Sequence, residues 1–141
     1  MIGKLQTNKV KLALKIFDFI HSVDSKKLAK KIADEQLNMN KKIKIFIQIN
    51  VGDEIQKSGV HKDALNDLVF YCNELKLNVL GFMCIPPVNV EPEVFFKEIK
   101  KLKENFHLSE LSMGMSSDYL VAAKNSSSYL RIGSSIFGKR F

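Results

Sequence analysis

Five runs of apolar and β-branched residues are spaced along the chain at intervals typical of strands that alternate with helices. The run at 43–51 alternates apolar and polar residues, whereas the run at 77–85 is almost continuously apolar, as in a strand covered on both faces. The runs predict strands at 20–23, 43–51, 77–85, 108–113 and 129–137.

The segments between these runs repeat apolar residues with helical spacing. An Asp24-Ser25 pair provides a cap signal for one of them, and Pro92 is placed to open another. The predicted helices span 9–19, 24–36, 61–75, 93–105 and 117–124. Strands that alternate with helices favour an α/β fold with a parallel sheet and helical crossovers.

The number of runs is too small for a closed (β/α)8 barrel, which needs eight strands and about 250 residues. Residues 1–3 have the character of the end of a further strand, which brings the count to six. The pattern therefore leaves two architectures open, an open sheet or part of a barrel.

The composition is that of one soluble domain: 141 residues, of which 45% are hydrophobic and 26% charged. We expect a cytoplasmic protein, because no apolar stretch approaches about 20 residues and the N-terminus lacks a signal-peptide pattern. Cys72 and Cys84 lie in a predicted helix and a predicted strand without metal-ligand spacing, so we predict buried, reduced thiols. The scattered histidines give no support for a metal site.

The net charge of +7 raises the question of nucleic-acid binding. The basic residues are mostly lysines on predicted helix faces, their ordinary solvated position, and no aromatic-plus-arginine stacking platform accompanies them. We therefore expect neither a nucleic-acid partner nor a membrane partner.

Two segments near the C-terminus, at 111–118 and 129–138, carry the strongest functional signal. Each is an apolar run that opens into glycine and hydroxyl residues, which let backbone N–H groups approach the oxygens of a phosphate closely. Arg131 lies on the second run and would point at whatever carries that phosphate. The alternatives are an ordinary tight turn at 112–116 and an arginine paired with a carboxylate.

The chain resembles a known family along essentially its whole length, with the family's motifs in order. That family is the pyridoxal phosphate homeostasis proteins, also known as the YggS or proline-synthase-co-transcribed type. The segments that carry the resemblance are 2–9, 20–25, 48–51, Glu54, 57–60, 81–87, 111–118 and 131–138. The resemblance implies a single-domain, alanine-racemase-like TIM barrel, here a partial one. It also implies a protein, mostly monomeric, that binds pyridoxal 5′-phosphate (PLP) and buffers or delivers it to apo-enzymes, without a well-established catalytic activity.

The resemblance also implies roles for individual residues. Ser116, Gly133 and Ser134 are expected to contact the phosphate, and Arg131 to face the pyridine nitrogen and keep it unprotonated, which weakens the ring as an electron sink. The full expected cofactor-binding set is Asn8, Lys57, Ser112, Gly114, Met115, Ser116, Arg131, Gly133 and Ser134. For Asn8, with Gln6 beside it, the alternative is polarity at a helix start; for Lys57 it is an ordinary surface lysine.

One departure from the family pattern is important. In the family, the lysine that bonds PLP covalently ends the first strand in a Val-Ser-Lys type sequence, and this sequence starts beyond that point. We therefore expect five to six β/α units, with PLP binding weak and non-covalent or absent. Two other functions stay open: a PLP-dependent amino-acid racemase, which needs a lysine base and a partner acid, and a ligand-free remnant whose open strand edges drive self-association.

Overall fold

The structure, a computed structural model, describes residues 1–52 and 58–138. Within these residues, five parallel strands form one sheet whose spatial order follows the chain. The strands are β1 (Phe19–Val23), β2 (Lys44–Ile49), β3 (Asn78–Cys84), β4 (Glu110–Met115) and β5 (Tyr129–Arg131).

A helix connects each strand to the next, because parallel neighbours need a long crossover. After a short 3-10 turn at Thr7–Lys9, the helices are α1 (Val10–Ile16), α2 (Lys26–Asn38), α3 (Lys62–Glu74), α4 (Pro92–Asn105), α5 (Tyr119–Lys124) and α6 (Ser134–Phe137). The predicted start signals are confirmed: the Ser25 hydroxyl accepts the Leu28 N–H at 3.3 Å, and Pro92 is the first residue of α4. None of the described helices is long and apolar enough to cross a membrane.

The core lies between the sheet and its helices. Strand β3 is covered on both faces at its carboxyl end, as the nearly continuous apolar run predicted, and Phe82 and Met83 are fully buried. Strand β2 is buried on both faces from Ile45 to Ile49, although its run alternates apolar and polar residues. Cys72 and Cys84 are free and buried, as expected. Burial raises the pKa of Cys84 to about 12, so it is an inert thiol. No cluster of metal-ligating side chains occurs in the described part of the chain.

The sheet is strongly curved, so that its first and last strands approach each other. Tyr129 belongs to β5 and His21 to β1, at opposite ends of the strand order, yet their ring centroids are 5.6 Å apart. Phe46 of β2 lies between them in the cluster, 4.4 Å from His21 and 5.1 Å from Tyr129. The inner face of the sheet is therefore a concave, partial barrel with an aromatic layer inside it.

The first three residues extend the sheet beyond β1. The Met1 ammonium donates to the Phe19 carbonyl at 2.6 Å, and the His21 N–H donates to the Met1 carbonyl at 2.9 Å. This pair of bonds has the pattern of a parallel ladder. The Ser22 hydroxyl bonds the Gly3 carbonyl at 2.7 Å, so Gly3 is also held beside β1. No strand is assigned here, but the bonding agrees with the prediction that 1–3 end a strand.

Two predicted boundaries are wrong. The run at 129–137 is not one strand, because β5 ends at Arg131 and a turn at Gly133 leads into α6. The helix predicted at 9–19 ends at Ile16, and Phe17 is already extended. In both places an apolar run continues across the junction of two elements, so hydrophobicity alone does not mark the change.

Candidate functional site

The loops after β4 and β5 meet at one edge of the sheet. The Ser116 hydroxyl oxygen accepts the N–H of Gly133 and the N–H of Ser135, each at 3.2 Å. The Ser135 hydroxyl donates in return to the Ser116 carbonyl at 3.4 Å. Neighbouring parallel strands bring their carboxyl ends together, which is why residues 17 and 19 positions apart meet here. We call Ser116 and residues 133–135 the serine corner.

Gly114 and Asp118 shape the approach to this corner. Gly114 has φ +92°, and an added Cβ there would lie 2.6 Å from the Ala122 side chain and 3.0 Å from the Tyr119 Cα. Only glycine lets β4 pass this closely over α5. The Asp118 carboxylate accepts the Met115 N–H at 2.7 Å, and thus closes the turn rather than capping α5. Gly114 is therefore required by the backbone conformation where β4 crosses α5.

Arg131 ends β5 with its guanidinium directed into the protein, and the residue is 9% exposed. Its Nη1 donates to the Ser112 carbonyl at 2.7 Å and to the Ser112 hydroxyl at 2.9 Å, and its Nη2 donates to the Cys84 carbonyl at 2.8 Å. These bonds use three of the five N–H donors that a guanidinium carries. They leave two donors for another acceptor.

Every one of these Arg131 partners is neutral. None of the ion pairs in the described residues involves Arg131, so the alternative of an arginine-carboxylate pair is not found there. Burial lowers the pKa of Arg131, although a guanidinium stays charged at neutral pH. A buried cation with only neutral partners is costly, and an electron-rich ligand acceptor would relieve that cost.

His21 approaches the same arginine from the other side of the barrel. Its Nδ1 lies 2.8 Å from the Ser112 hydroxyl oxygen, and its ring stacks on Phe46. Burial, the Met1 ammonium and Arg131 together lower the pKa of His21 to about 4. His21 is therefore a neutral imidazole at physiological pH.

A cleft of about 780 Å³ opens between the serine corner and the N-terminal residues. It is lined by Ile2, Gly3, Ile85, Met115, Ser116, Ser117, Leu130, Arg131, Ile132, Gly133 and Ser134. A smaller hollow of about 270 Å³ adjoins it, shares Ile2, Gly3 and Ile85, and reaches Gln48 and Asn50 at the ends of β2. Apolar side chains form much of this lining, which also includes the residues of the serine corner and Arg131.

The structure brings together most of the predicted site residues. Met115, Ser116, Arg131, Gly133 and Ser134 line the cleft, whereas Ser112 is fully buried behind Arg131 and contacts it directly.

Gly114 and Asn8, which were also predicted to bind the cofactor, do not line the cleft. Asn8 is exposed in the 3-10 turn and lines a separate depression beside Lys27, Lys30 and Lys31 of α2. The turn packs on the outer helix layer, so Asn8 lies away from the cleft. Lys57 falls outside the described residues.

Sequence reasoning missed the part that His21 and Ile85 play. The pattern places His21 in the predicted strand 20–23 and Ile85 in the predicted strand 77–85, and the resemblance includes both segments, but neither predicts a role for these two side chains in the site. The signal for His21 is the two-residue period of β1, which places His21 on the same face as Phe19, toward Tyr129 and the barrel interior. Ile85 follows the last residue of β3, the position from which barrel strands present residues to a site.

Acid should destabilise the fold through His21. Its pKa is about 4 in the folded chain against 6.5 for an ordinary histidine, so the unfolded state takes up the proton first as the pH falls. We expect the free energy of unfolding to drop by about 2 kcal/mol between pH 6.5 and pH 4, beyond the loss due to carboxylates. Urea unfolding at half-unit pH steps measures this.

His21→Gln removes that titration, and the exposed His107→Gln serves as the control. The pH profile of His21→Gln is expected to be flatter than that of the parent chain over this range, while the His107→Gln profile keeps the parent slope. Equal slopes for all three proteins would contradict a neutral, buried His21.

Residues 1–140 match the family model for the alanine racemase N-terminal domain. The pyridoxal phosphate homeostasis protein of Aquifex aeolicus (strain VF5) is 40% identical over 149 residues, covering 99% of this chain and 65% of that protein. The pyridoxal phosphate homeostasis protein of Escherichia coli (strain K12) is 34% identical, covering 99% of this chain and 63% of that protein. The chain thus spans 63–65% of the length of these curated relatives.

Solved structures share the fold. PipY of Synechococcus elongatus PCC7942, with PLP bound, superimposes with a TM-score of 0.85 at 30% identity, covering 96% of this chain and 68% of PipY. Alanine racemase of Clostridium difficile 630 superimposes with a TM-score of 0.73 at 14% identity, covering 98% of this chain and 38% of the enzyme, and so shows the fold alone. The expected partial, alanine-racemase-like barrel is confirmed.

Proposed function

Because the chain belongs to the alanine racemase N-terminal domain family, together with the pyridoxal phosphate homeostasis proteins, we propose that it binds PLP non-covalently in the cleft between residues 2–3 and the serine corner. The observation that carries the proposal is the meeting of the two small-residue loops beside a buried Arg131. The cellular role that follows is vitamin B6 homeostasis, in which the protein holds PLP and releases it to apo-enzymes.

The serine corner suits the phosphate. The Ser116 hydroxyl accepts two N–H groups and still has its own proton to donate, since a hydroxyl has two lone pairs and one proton. The N–H groups of Gly133 and Ser135 and the Ser135 hydroxyl already donate to Ser116, so the donors left for a phosphate are the Ser116 hydroxyl proton and the N–H and hydroxyl of Ser134. None of the described residues that line the cleft is acidic, so this group of donors favours a dianionic head group.

Arg131 suits the ring. Its two remaining N–H donors can only donate, so they favour a ligand atom that accepts, such as an unprotonated pyridine nitrogen. PLP, when bound, supplies a reactive aldehyde on an electron-withdrawing ring. A permanent positive charge at the ring nitrogen keeps that ring from becoming a strong electron sink, which fits a carrier better than a transaminase.

The size and walls of the cleft also support this assignment. A volume of about 780 Å³ falls within the ordinary range of small-molecule sites. Ile2, Ile85 and Leu130 provide apolar surface on which a ring can pack, between the phosphate end and Arg131. The polar groups are few and converge, as in sites that fix one ligand orientation.

Replacing Ser116 with alanine tests the phosphate half of the proposal. The variant loses the hydroxyl that joins the two loops and donates to the phosphate, so we expect about 5- to 20-fold weaker binding of both PLP and inorganic phosphate. Isothermal titration of the 141-residue chain measures both. Ser109→Ala is the matched control, because Ser109 is exposed and its hydroxyl donates to the Leu80 carbonyl at 3.3 Å, on a different strand from the serine corner.

The control is expected to bind both ligands like the parent chain. Undiminished binding by Ser116→Ala would remove the serine corner as the phosphate site. A parent chain that binds neither ligand at millimolar concentration would contradict PLP binding by these residues altogether.

A further inference from the structure

Three polar side chains from three strands form a line across the inside of the barrel. Arg131 of β5 donates to the Ser112 hydroxyl at 2.9 Å, and that hydroxyl lies 2.8 Å from Nδ1 of His21 in β1. Ser112 is fully buried and His21 is 6% exposed. None of this line belongs to the phosphate corner, and the proposed ligand contacts use only Arg131.

The direction of the hydrogen bonds follows from the donors available. A guanidinium has no acceptor, so the Ser112 oxygen must accept from Arg131, which frees the Ser112 proton for another partner. In the neutral tautomer that carries its proton on Nε2, Nδ1 of His21 accepts this proton. The stacking of the imidazole on Phe46, at 4.4 Å between ring centroids, fixes the plane of the ring and so the aim of Nδ1.

We propose that His21 and Ser112 are positioning residues that hold the Arg131 guanidinium against the middle of β4 and the end of β3, with its two remaining N–H donors available to the ring of the ligand. The inference rests on the proposed function, because it concerns how that site recognises the ring nitrogen of a B6 phosphate. His21 acts through Ser112, and Ser112 acts through Arg131.

The Arg131 side chain needs several hydrogen bonds to keep one orientation. Arg131 ends a strand of three residues at the edge of the sheet, and its long side chain has many rotamers. Two backbone carbonyls, those of Ser112 and Cys84, hold it at fixed points. The Ser112 hydroxyl supplies a third point, and His21 orients that hydroxyl by taking its proton.

Two probes separate ring recognition from phosphate binding. Pyridoxine 5′-phosphate keeps the ring nitrogen and the phosphate but has no aldehyde to react with the many lysines, and inorganic phosphate has no ring. The ratio of the two dissociation constants measures the contribution of the ring contacts. We expect Ser112→Ala to lower this preference for pyridoxine 5′-phosphate about 3- to 10-fold while inorganic phosphate binds as before.

His21→Phe, which keeps the stack on Phe46 but cannot accept the serine proton, is expected to lower the preference about 2- to 5-fold. His21→Asn offers an amide oxygen near Nδ1, and Ser112→Thr keeps a hydroxyl, so both are expected to retain most of the preference. A merely structural role would show in the free energy of unfolding of the variants but would leave this ratio unchanged.

A double-mutant cycle tests the order of action. If His21 works through Ser112, His21→Phe lowers the preference no further in the Ser112→Ala background. Equal preference in all variants, or fully additive losses, would overturn the positioning role. A parent chain that binds inorganic phosphate and pyridoxine 5′-phosphate equally would overturn it too, while leaving the serine corner standing; a parent chain that binds neither would overturn the proposed function and this inference together.

Discussion

Replacing Arg131 with methionine is expected to weaken PLP binding about 10- to 100-fold while inorganic phosphate binding stays within about two-fold of the parent. A hydrogen bond to a charged group contributes about 1.5–3 kcal/mol, which corresponds to this loss. Phosphate binding is spared because the contacts of the serine corner do not include the Arg131 side chain. Methionine fills the buried space of the side chain without its charge.

Lys97→Met is the matched control. It removes one positive charge from α4, where Lys97 pairs with Glu93 on the same exposed helix face. Both ligands are expected to bind this variant like the parent, because general attraction by the net charge is spread over the whole surface. Equal loss of PLP and phosphate binding in Arg131→Met would show that the arginine acts on the phosphate or on the fold rather than on the ring.

Replacing Gly81 with alanine is expected to lower the free energy of unfolding by about 3 kcal/mol or more. An added Cβ would lie 1.8 Å from the Glu110 carbonyl oxygen and 2.6 Å from its carbon, both backbone atoms of the neighbouring strand. Strands β3 and β4 would have to separate where they pair. Cys84 and Ser112, which hold Arg131, lie on these strands, so ligand binding is expected to fall as well.

Urea unfolding followed by circular dichroism measures the change, and Gly3→Ala is the control because an added Cβ there meets nothing within 4 Å. The control is expected to stay within about 0.5 kcal/mol of the parent. A Gly81→Ala chain with parent stability would mean that β3 and β4 are not paired as they are in this structure.

The order of the elements could be predicted because each strand and helix is a separate hydrophobic pattern. Boundaries could not be predicted where two apolar elements join, as between α1 and β1, or where β5 turns at Gly133 into α6. The meeting of the two loops followed from parallel pairing, since the ends of neighbouring strands lie at one edge. That part of the site was predictable from 112–116 and 131–134 alone.

The surroundings of Arg131 required coordinates. Its three acceptors come from β3 and β4, 19 and 47 positions away along the chain, and two of them are backbone carbonyls that no sequence pattern identifies. The contact between His21 and Ser112 could not be predicted either, because it crosses the barrel between β1 and β4, which are not neighbours in the sheet. The location of Asn8 also required coordinates, because closeness to a strand end in sequence does not decide on which side of the barrel a turn lies.

A ¹H–¹⁵N NMR titration of the 141-residue chain with pyridoxine 5′-phosphate tests the central claim most directly, because it reports every backbone N–H even when binding is weak. The account predicts that the largest shifts fall on the amides of 116–117 and 132–135, with smaller shifts at 2–3 across the cleft. Shifts concentrated instead at Thr7, Asn8 and Lys27, in the lysine-lined depression beside α2, would contradict it.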